Sequence, residues 1–264
     1  MIRVETGADR VCRVTIDRPE AKNALSVEMR DDVVDAVRAV RADPDVRALL
    51  ITGTGDAFCA GMDLSASTVA QAGREGFDTR ATAEALRAGV QAFIRELWEL
   101  DKPTVAAVNG VAVGPGAHLA LACDFVVVHE ATRFMWSFQR WGLVVDAGGA
   151  YLLPRLVGLP RAKAMVMLGE GCTGSEAVDL GLAYRCVDEA ALDGEASALA
   201  ARLAAGPTRA LGLSKRLLNA SFETDLADAL QLEAAFQSLA TTSSDLVEGM
   251  AAFKERRDPR FTGR

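Results

Sequence analysis

Histidine is nearly missing from this chain: His118 and His129 are the only two in 264 residues, eleven apart, with no HxxxH spacing. Cysteine offers no more, since the five (Cys12, Cys59, Cys123, Cys172 and Cys186) are odd in number, scattered, and form no CxxC pair. A zinc site and a disulfide framework are thereby excluded, and a reducing compartment fits. Base is outnumbered by acid, 29 to 36, for a net charge of −7. Such a chain lacks the net basic face that nucleic acid requires, although a small polyphosphate needs only a few local cations. The opening MIRVETG carries no apolar signal segment, so the expected location is cytoplasmic. Low-complexity tracts and a clear linker are also lacking. With 50% hydrophobic, 25% charged and 6% aromatic residues, the composition is that of an ordinary globular protein, long enough for a real core in one large domain or two small ones.

The run from Pro103 to Cys123, PTVAAVNGVAVGPGAHLALAC, is 21 residues without charge. Its length suits a membrane span, but Pro103, Gly110, Gly114, Pro115 and Gly116 would break a continuous helix. It reads as a buried strand, a glycine turn, a short strand, a second glycine turn and a helix start. Elsewhere, Arg3–Thr6 and Val11–Asp17 form a strand pair. Ser26 caps a helix with Val33, Val34, Val37 and Val40 at helical spacing, and Ala48–Thr52 is a buried strand. A long helix carries Leu86, Val90, Phe93, Ile94 and Leu97 on one face. Pro103–Val108 and Phe125–Val128 are strands. Thr173 and Glu176 match a capping box. The tail holds helices at 208–218, 224–239 and 243–256, the last led by Thr242 and Asp245. Strands alternating with helices and then a helical tail give an α/β protein with a helical appendage.

Two glycine turns draw attention, Ala57–Leu64 (AFCAGMDL) and Gly114-Pro115-Gly116-Ala117-His118. Glycine lets main-chain amides approach a ligand closely, and a helix starting near Gly116 adds partial positive charge. Brought together, the turns could hold one oxyanion; taken singly, each could be no more than a tight turn. His129, beside Glu130, reads as a solvated loop residue.

The ordered set RPEAKNALS, FCAGMDL, VNGVAVGPGAHLALACDF, GLVVDAGGAYLLPRLVG and EGMAAFKERRDPRFTG resembles the crotonase superfamily, the enoyl-CoA hydratase/isomerase proteins, over nearly the whole chain. The resemblance implies a crotonase-like spiral of ββα units over residues 1–200 and a C-terminal helical trimerisation region over 201–264. It also implies a homotrimer or dimer of trimers, and an acyl-CoA thioester substrate of fatty acid metabolism whose coenzyme A is part of the substrate, with no separate cofactor and no metal. Arg18, Lys22 and Ala24 match the segment that meets the CoA nucleotide. Ala60, Asp63 and Leu64 match the strip beside the adenine and pantetheine. Phe253, Arg256 and Arg257 match the tail that completes the CoA site, often from a neighbouring subunit; a solvated basic helix end is the plainer reading. Trp136, Phe138 and Trp141 stand as walls of the acyl pocket or simply as core, and the 65–80 loop and residues near 84–98 shape that pocket.

Main-chain donors at two family positions stabilise a thioester enolate, and losing one such donor typically costs about 3 kcal/mol. The first position is Met62. The second is Pro115, which has no N–H, so either Gly116 takes over or the hole has one donor. The two glutamates of a family hydratase fall at His118 and Phe138, neither a carboxylate. Asp146, in VVDAGGAYLLPR, matches the aspartate of some family isomerases. Its apolar neighbours Leu143, Val144 and Val145 would raise its pKa and suit it as a base; alternatively it caps the helix starting near Gly148. His118 could assist as proton carrier or donor, or be a packed residue. The reading favoured is double-bond isomerisation by Asp146. A hydratase with non-standard acid/base groups and a non-catalytic acyl-CoA-binding protein, the latter motivated by Pro115 and Phe138, are alternatives. A nucleotide-dependent oxidoreductase would need glycine at 119, where the chain has Leu119.

Overall fold

The computed structural model describes residues 1–63 and 78–264. Strands β1 (Ile2–Thr6) and β2 (Val11–Ile16) form an antiparallel hairpin, Ile2 opposite Ile16. Strands β3 (Ala48–Gly53), β5 (Thr104–Val108), β7 (Phe125–His129) and β10 (Arg185–Val187) then add in parallel, giving the order β1-β2-β3-β5-β7-β10. A smaller sheet has the order β4-β6-β8-β9, from β4 (Ala57–Cys59), β6 (Val111–Val113), β8 (Arg133–Met135) and β9 (Cys172–Thr173). Successive turns of the chain thus lay one strand in each sheet before a helix returns, which is the expected spiral of ββα units.

Burial on both faces explains the strand sequences. In β3, Leu49 and Ile51 enter the main core while Ala48 and Leu50 face the other way, onto helix α8 (Leu192–Ala204). Helix α1 (Val27–Ala42) buries Met29, Val33, Val34, Val37 and Val40, and Ser26 caps it by accepting from Met29 N at 3.2 Å. The uncharged run divides as expected into β5, β6 and α4 (Pro115–Leu121). Among the described residues no helix is long and apolar enough to cross a membrane.

Several expectations need correction. The long helix is two, α2 (Thr79–Ala88) and α3 (Val90–Trp98), broken at Gly89, whose φ of −103° and ψ of −105° are not helical; the Arg30 guanidinium of α1 packs where a Cβ would stand. Leu86 lies on the first, and Val90, Phe93, Ile94 and Leu97 are buried on the second. The boundary at 200/201 falls inside α8, whose Ala196, Ala200 and Ala204 form one buried stripe against the sheet. The separate helical region therefore begins beyond it, with α9 (Thr208–Ala220), α10 (Leu226–Ala240) and α11 (Ser244–Glu255). Helix α11 is capped by Ser243, not led by Thr242 and Asp245. The Asp245 carboxylate instead accepts from Thr262 N at 2.6 Å and Gly263 N at 2.9 Å, folding the tail back. His129, read as solvated, is buried at the end of β7.

Buried cations seat the helical region on the core. Arg47 donates to Thr208 Oγ1 (2.9 Å), to the Phe261 carbonyl (2.9 Å) and to the Gly206 carbonyl. Lys215 reaches from α9 to the Leu97 carbonyl at 3.2 Å and Asp124 Oδ2 at 3.0 Å. Lys215→Met keeps the bulk but removes the cation from Asp124, whose Oδ2 then accepts only from Thr104 N and Oγ1 at 2.7 and 2.9 Å. It is expected to lower stability by about 2–3 kcal/mol, since hydrogen bonds to charged groups are the stronger kind. The check is a urea titration in which the midpoint falls and the slope stays constant.

Candidate active site

After β2 the chain turns through Pro19–Ala21 into Lys22 and Asn23, both in the left-handed region at φ 49° and 59°. Asn23 is fully buried. Its Oδ1 accepts from Arg18 N at 2.8 Å, and its Nδ2 donates to the Thr54 and Ala57 carbonyls at 2.9 and 2.7 Å. It fastens the turn to the β3–β4 connection. Three main-chain bonds continue the seam: Ala60 N to Lys22 O (2.9 Å), Leu25 N to Gly61 O (2.8 Å) and Asp63 N to Leu25 O (2.8 Å). Arg18, Lys22 and Ala24 are thereby brought beside Ala60 and Asp63 in one strip. Arg18 donates to Asp63 Oδ2 at 2.8 Å and to the Ala24 carbonyl at 3.2 Å, and exposed Lys22 pairs with Asp56 at 2.5 Å. Leu64 lies outside the described residues, as does most of the 65–80 loop. Asn23 was not singled out from the sequence; the signal for it is a polar residue inside RPEAKNALS that tolerates positive φ.

The two glycine turns meet through their main chains. A Cβ on Gly61 (φ 96°) would stand 3.0 Å from the Val113 carbonyl and 3.5 Å from Pro115 Cδ, and one on Gly116 would overlap the Cys59 carbonyl. Because Gly61 O and Asp63 N both bond Leu25 in a parallel bridge, the Met62 N–H faces away from it. Pro115 is the first residue of α4, where a missing N–H is tolerated. The first intrahelical bond runs from His118 N to Gly114 O, so the Gly116 amide has no acceptor within the helix.

Positions 118 and 138 are filled by parallel rings. His118 and Phe138 lie 6.0 Å apart at 9°, both buried, and the Phe138 ring also covers Gly114. Trp136 Nε1 donates to His118 Nε2 at 3.0 Å. Burial pushes the imidazole down to about 4, against the raising effect of the Asp146 carbonyl. The imidazole is thereby favoured in its neutral form, and it has no exposed surface. Trp136 is likewise completely buried and lies in the core, not on a pocket wall.

Asp146 is not a helix cap. Helix α5 (Gly149–Val157) has Gly148 at its N-cap and no side-chain cap bond. The Asp146 carbonyl takes Gly149 N at 2.9 Å, with Ala147 (φ 46°) and Gly148 (φ 74°) completing a left-handed turn. Its Oδ1 is buried without a partner, and burial pushes the carboxyl up to about 6, opposed by its own amide. Of its three apolar neighbours Leu143 and Val144 are exposed, and Val145 packs on the core.

Other expected residues lie apart. Trp141 is 66% exposed and Phe253 86%. Arg256 ends α11 at φ 53°. Among the described residues no hydrogen bond or ion pair joins Phe253 or Arg256 to the 18–25 and 60–63 strip. Arg257 is engaged by Glu248 (2.6 and 3.0 Å) and Glu255 (2.6 Å). A groove beginning at Gly148 runs between α3 and α5 past Ile94, Trp98 and Tyr151.

The family model described as enoyl-CoA hydratase/isomerase matches residues 6–264. The 1,2-epoxyphenylacetyl-CoA isomerase of Escherichia coli (strain K12) is 38% identical over 258 residues, covering 96% of this chain and 95% of that protein. The crotonyl-CoA hydratase of Syntrophomonas wolfei is 34% identical over 260 residues, covering 96% and 95%. The crystal structure of an enoyl-CoA hydratase from Polaromonas sp. JS666 has a TM-score of 0.90 at 32% identity, covering 98% of this chain and 99% of that one.

A carboxyl raised from 3.8 to about 6 on folding favours the native state while protonated. Its contribution is complete below the unfolded value and is lost as pH rises through the native one. Asp146→Asn is therefore expected to be more stable than the parent at pH 8, with the difference shrinking toward pH 4. Parallel denaturant titrations at the two pH values check this.

Proposed function

We propose that this chain, which belongs to the enoyl-CoA hydratase/isomerase family and acts on an acyl-CoA thioester, catalyses double-bond isomerisation with Asp146 as the acid/base group. Asp146 takes a proton from one carbon of the acyl chain. The C–H electron pair enters the conjugated thioester, placing negative charge on the carbonyl oxygen. The proton returns from the carboxyl to another carbon, so nothing is oxidised or reduced. The Met62 and Gly116 amides receive the oxyanion. Fixed main-chain donors suit this task because they need no reorganisation as the charge develops.

The observation that carries the reading is the state of the three candidate acid/base positions. His118 is neutral and sealed, Phe138 cannot titrate, and Asp146 has a buried, unpartnered oxygen and a raised pKa near working pH. One carboxylate suffices for a proton shift, whereas placing and deprotonating water calls for a second group. Hydration remains a second reading, favoured by the hydratase relative; a binding protein without turnover is a third, motivated by Pro115. On the proposed reading Arg18, Lys22, Ala24, Ala60 and Asp63 line the CoA site, with Phe253 and Arg256 added from a neighbouring subunit. The exposed Leu218, Phe222, Leu226 and Leu230 of the helical region support a homotrimer or dimer of trimers. The expected setting is the cytoplasm, with no nucleic acid or membrane partner.

The test is a panel of acyl-CoA esters incubated in D2O and followed by mass spectrometry. Deuterium uptake with a shifted double bond is expected, and 3-hydroxyacyl-CoA formed at enzymatic rates would overturn the isomerase reading. Asp146→Asn should lower kcat by roughly 10³-fold, within the range for a general acid–base group, with ester affinity preserved. In the parent, kcat/KM should fall on the acid side with a midpoint of about 6, since only ionised Asp146 accepts a proton.

A further inference from the structure

We propose that His118 is a positioning residue for Asp146, locked by Trp136 into the tautomer that carries its hydrogen on Nδ1. The inference rests on the proposed role of Asp146 for its kinetic consequence, though not for its structural one. Indole nitrogen can only donate. The bond of 3.0 Å from Trp136 Nε1 to His118 Nε2 therefore fixes the lone pair on Nε2, and the neutral ring has one hydrogen left to offer, on Nδ1. The ring cannot turn to evade this. Phe138 lies parallel to it on one side, and on another Gly149 is pressed so closely that a Cβ would overlap Cε1 and Nε2. His118 and Trp136 have no exposed surface, so neither bond competes with bulk water.

What the ring faces is the Asp146 turn. Gly149, against which the imidazole is packed, is the residue that closes the turn onto the Asp146 carbonyl, at 2.9 Å. That bond defines the turn that aims the Asp146 side chain. His118 Nδ1 and Asp146 Oδ1 are both buried without a partner at hydrogen-bonding geometry. A buried donor left unmet is costly, and a slight tightening of the 146–149 turn onto the imidazole would satisfy it. No charged side chain adds to the shift of either group, so the coupling runs through hydrogen bonding and packing alone. His118 is thus a fixed dipolar strut and takes no proton from substrate.

With only two histidines in the chain, ¹⁵N-histidine NMR resolves the tautomer directly once His129→Gln identifies the other ring. The expected spectrum for His118 is Nδ1-protonated, with bare Nε2, and unchanging from pH 5 to 8. An Nε2-protonated ring, or titration in that interval, overturns the inference without any core variant. Trp136→Phe should then release the lock: the tautomers mix, and the Asp146 carboxyl midpoint read by ¹³C NMR moves by about half a pH unit or more. Turnover should drop about tenfold with KM for the CoA ester within about twofold. Val37→Ala, a core truncation in α1, should lower stability yet leave tautomer and midpoint unmoved; if it shifts them equally, His118 is merely packed. Should Asp146→Asn retain turnover, the acid/base reading falls, while the tautomer and the carboxyl midpoint still decide the role of His118.

Discussion

Close approach of two stretches of main chain holds the site together. Gly116 sits on the Cys59 carbonyl and Gly61 beside the Val113 carbonyl, and neither position has room for a side chain without displacing backbone. Around that contact the rest is arranged as support. Parallel strands β4 and β6 bring the turns together from one sheet, Asn23 ties the preceding loop to the Thr54 and Ala57 carbonyls, and the seam from Ala60 to Asp63 sets the direction in which the Met62 N–H points.

Electrostatically the interior is governed by dryness and not by charge pairing. Asp146 is pushed up and His118 down for the same reason, desolvation, and no ion pair offsets either. Both groups are driven toward their neutral forms, but only the carboxyl lands where it can change state near neutral pH. Elsewhere in the fold the opposite solution prevails. Glu96 is held by Arg38 and Arg41, and Lys102 by the Val40 and Asp43 carbonyls at 2.6 Å each, so that those buried charges are satisfied structural anchors.

Local signals made the architecture legible. The alternation of strands and helices, the Ser26 cap and the Thr173–Glu176 box depend on residues a few positions apart, and each is present. Gly89 shows where this stops: the side chain that fills the space beside it is Arg30, on another element. Asp245 resembles a helix starter, yet the returning tail claims its carboxylate. The meeting of the glycine turns could be anticipated as a possibility, since both carry the residues such an approach needs. The environment of His118 could not. Its hydrogen-bond partner is eighteen residues on, and nothing in the local pattern distinguishes a tryptophan that walls a pocket from one that fixes a ring. Likewise Asp146 as cap and Asp146 as base look identical until the αL turn at Ala147 and Gly148 is seen.

Ala147 itself has a consequence for how this protein could change. A buried alanine at φ 46° bears a steric penalty of about 1 kcal/mol that glycine would not. Glycine would relieve that penalty but lose a comparable amount, roughly 0.4–1 kcal/mol, to the greater freedom of its unfolded chain. The methyl group of Ala147 thus costs the fold little while it narrows the backbone freedom next to the carboxyl.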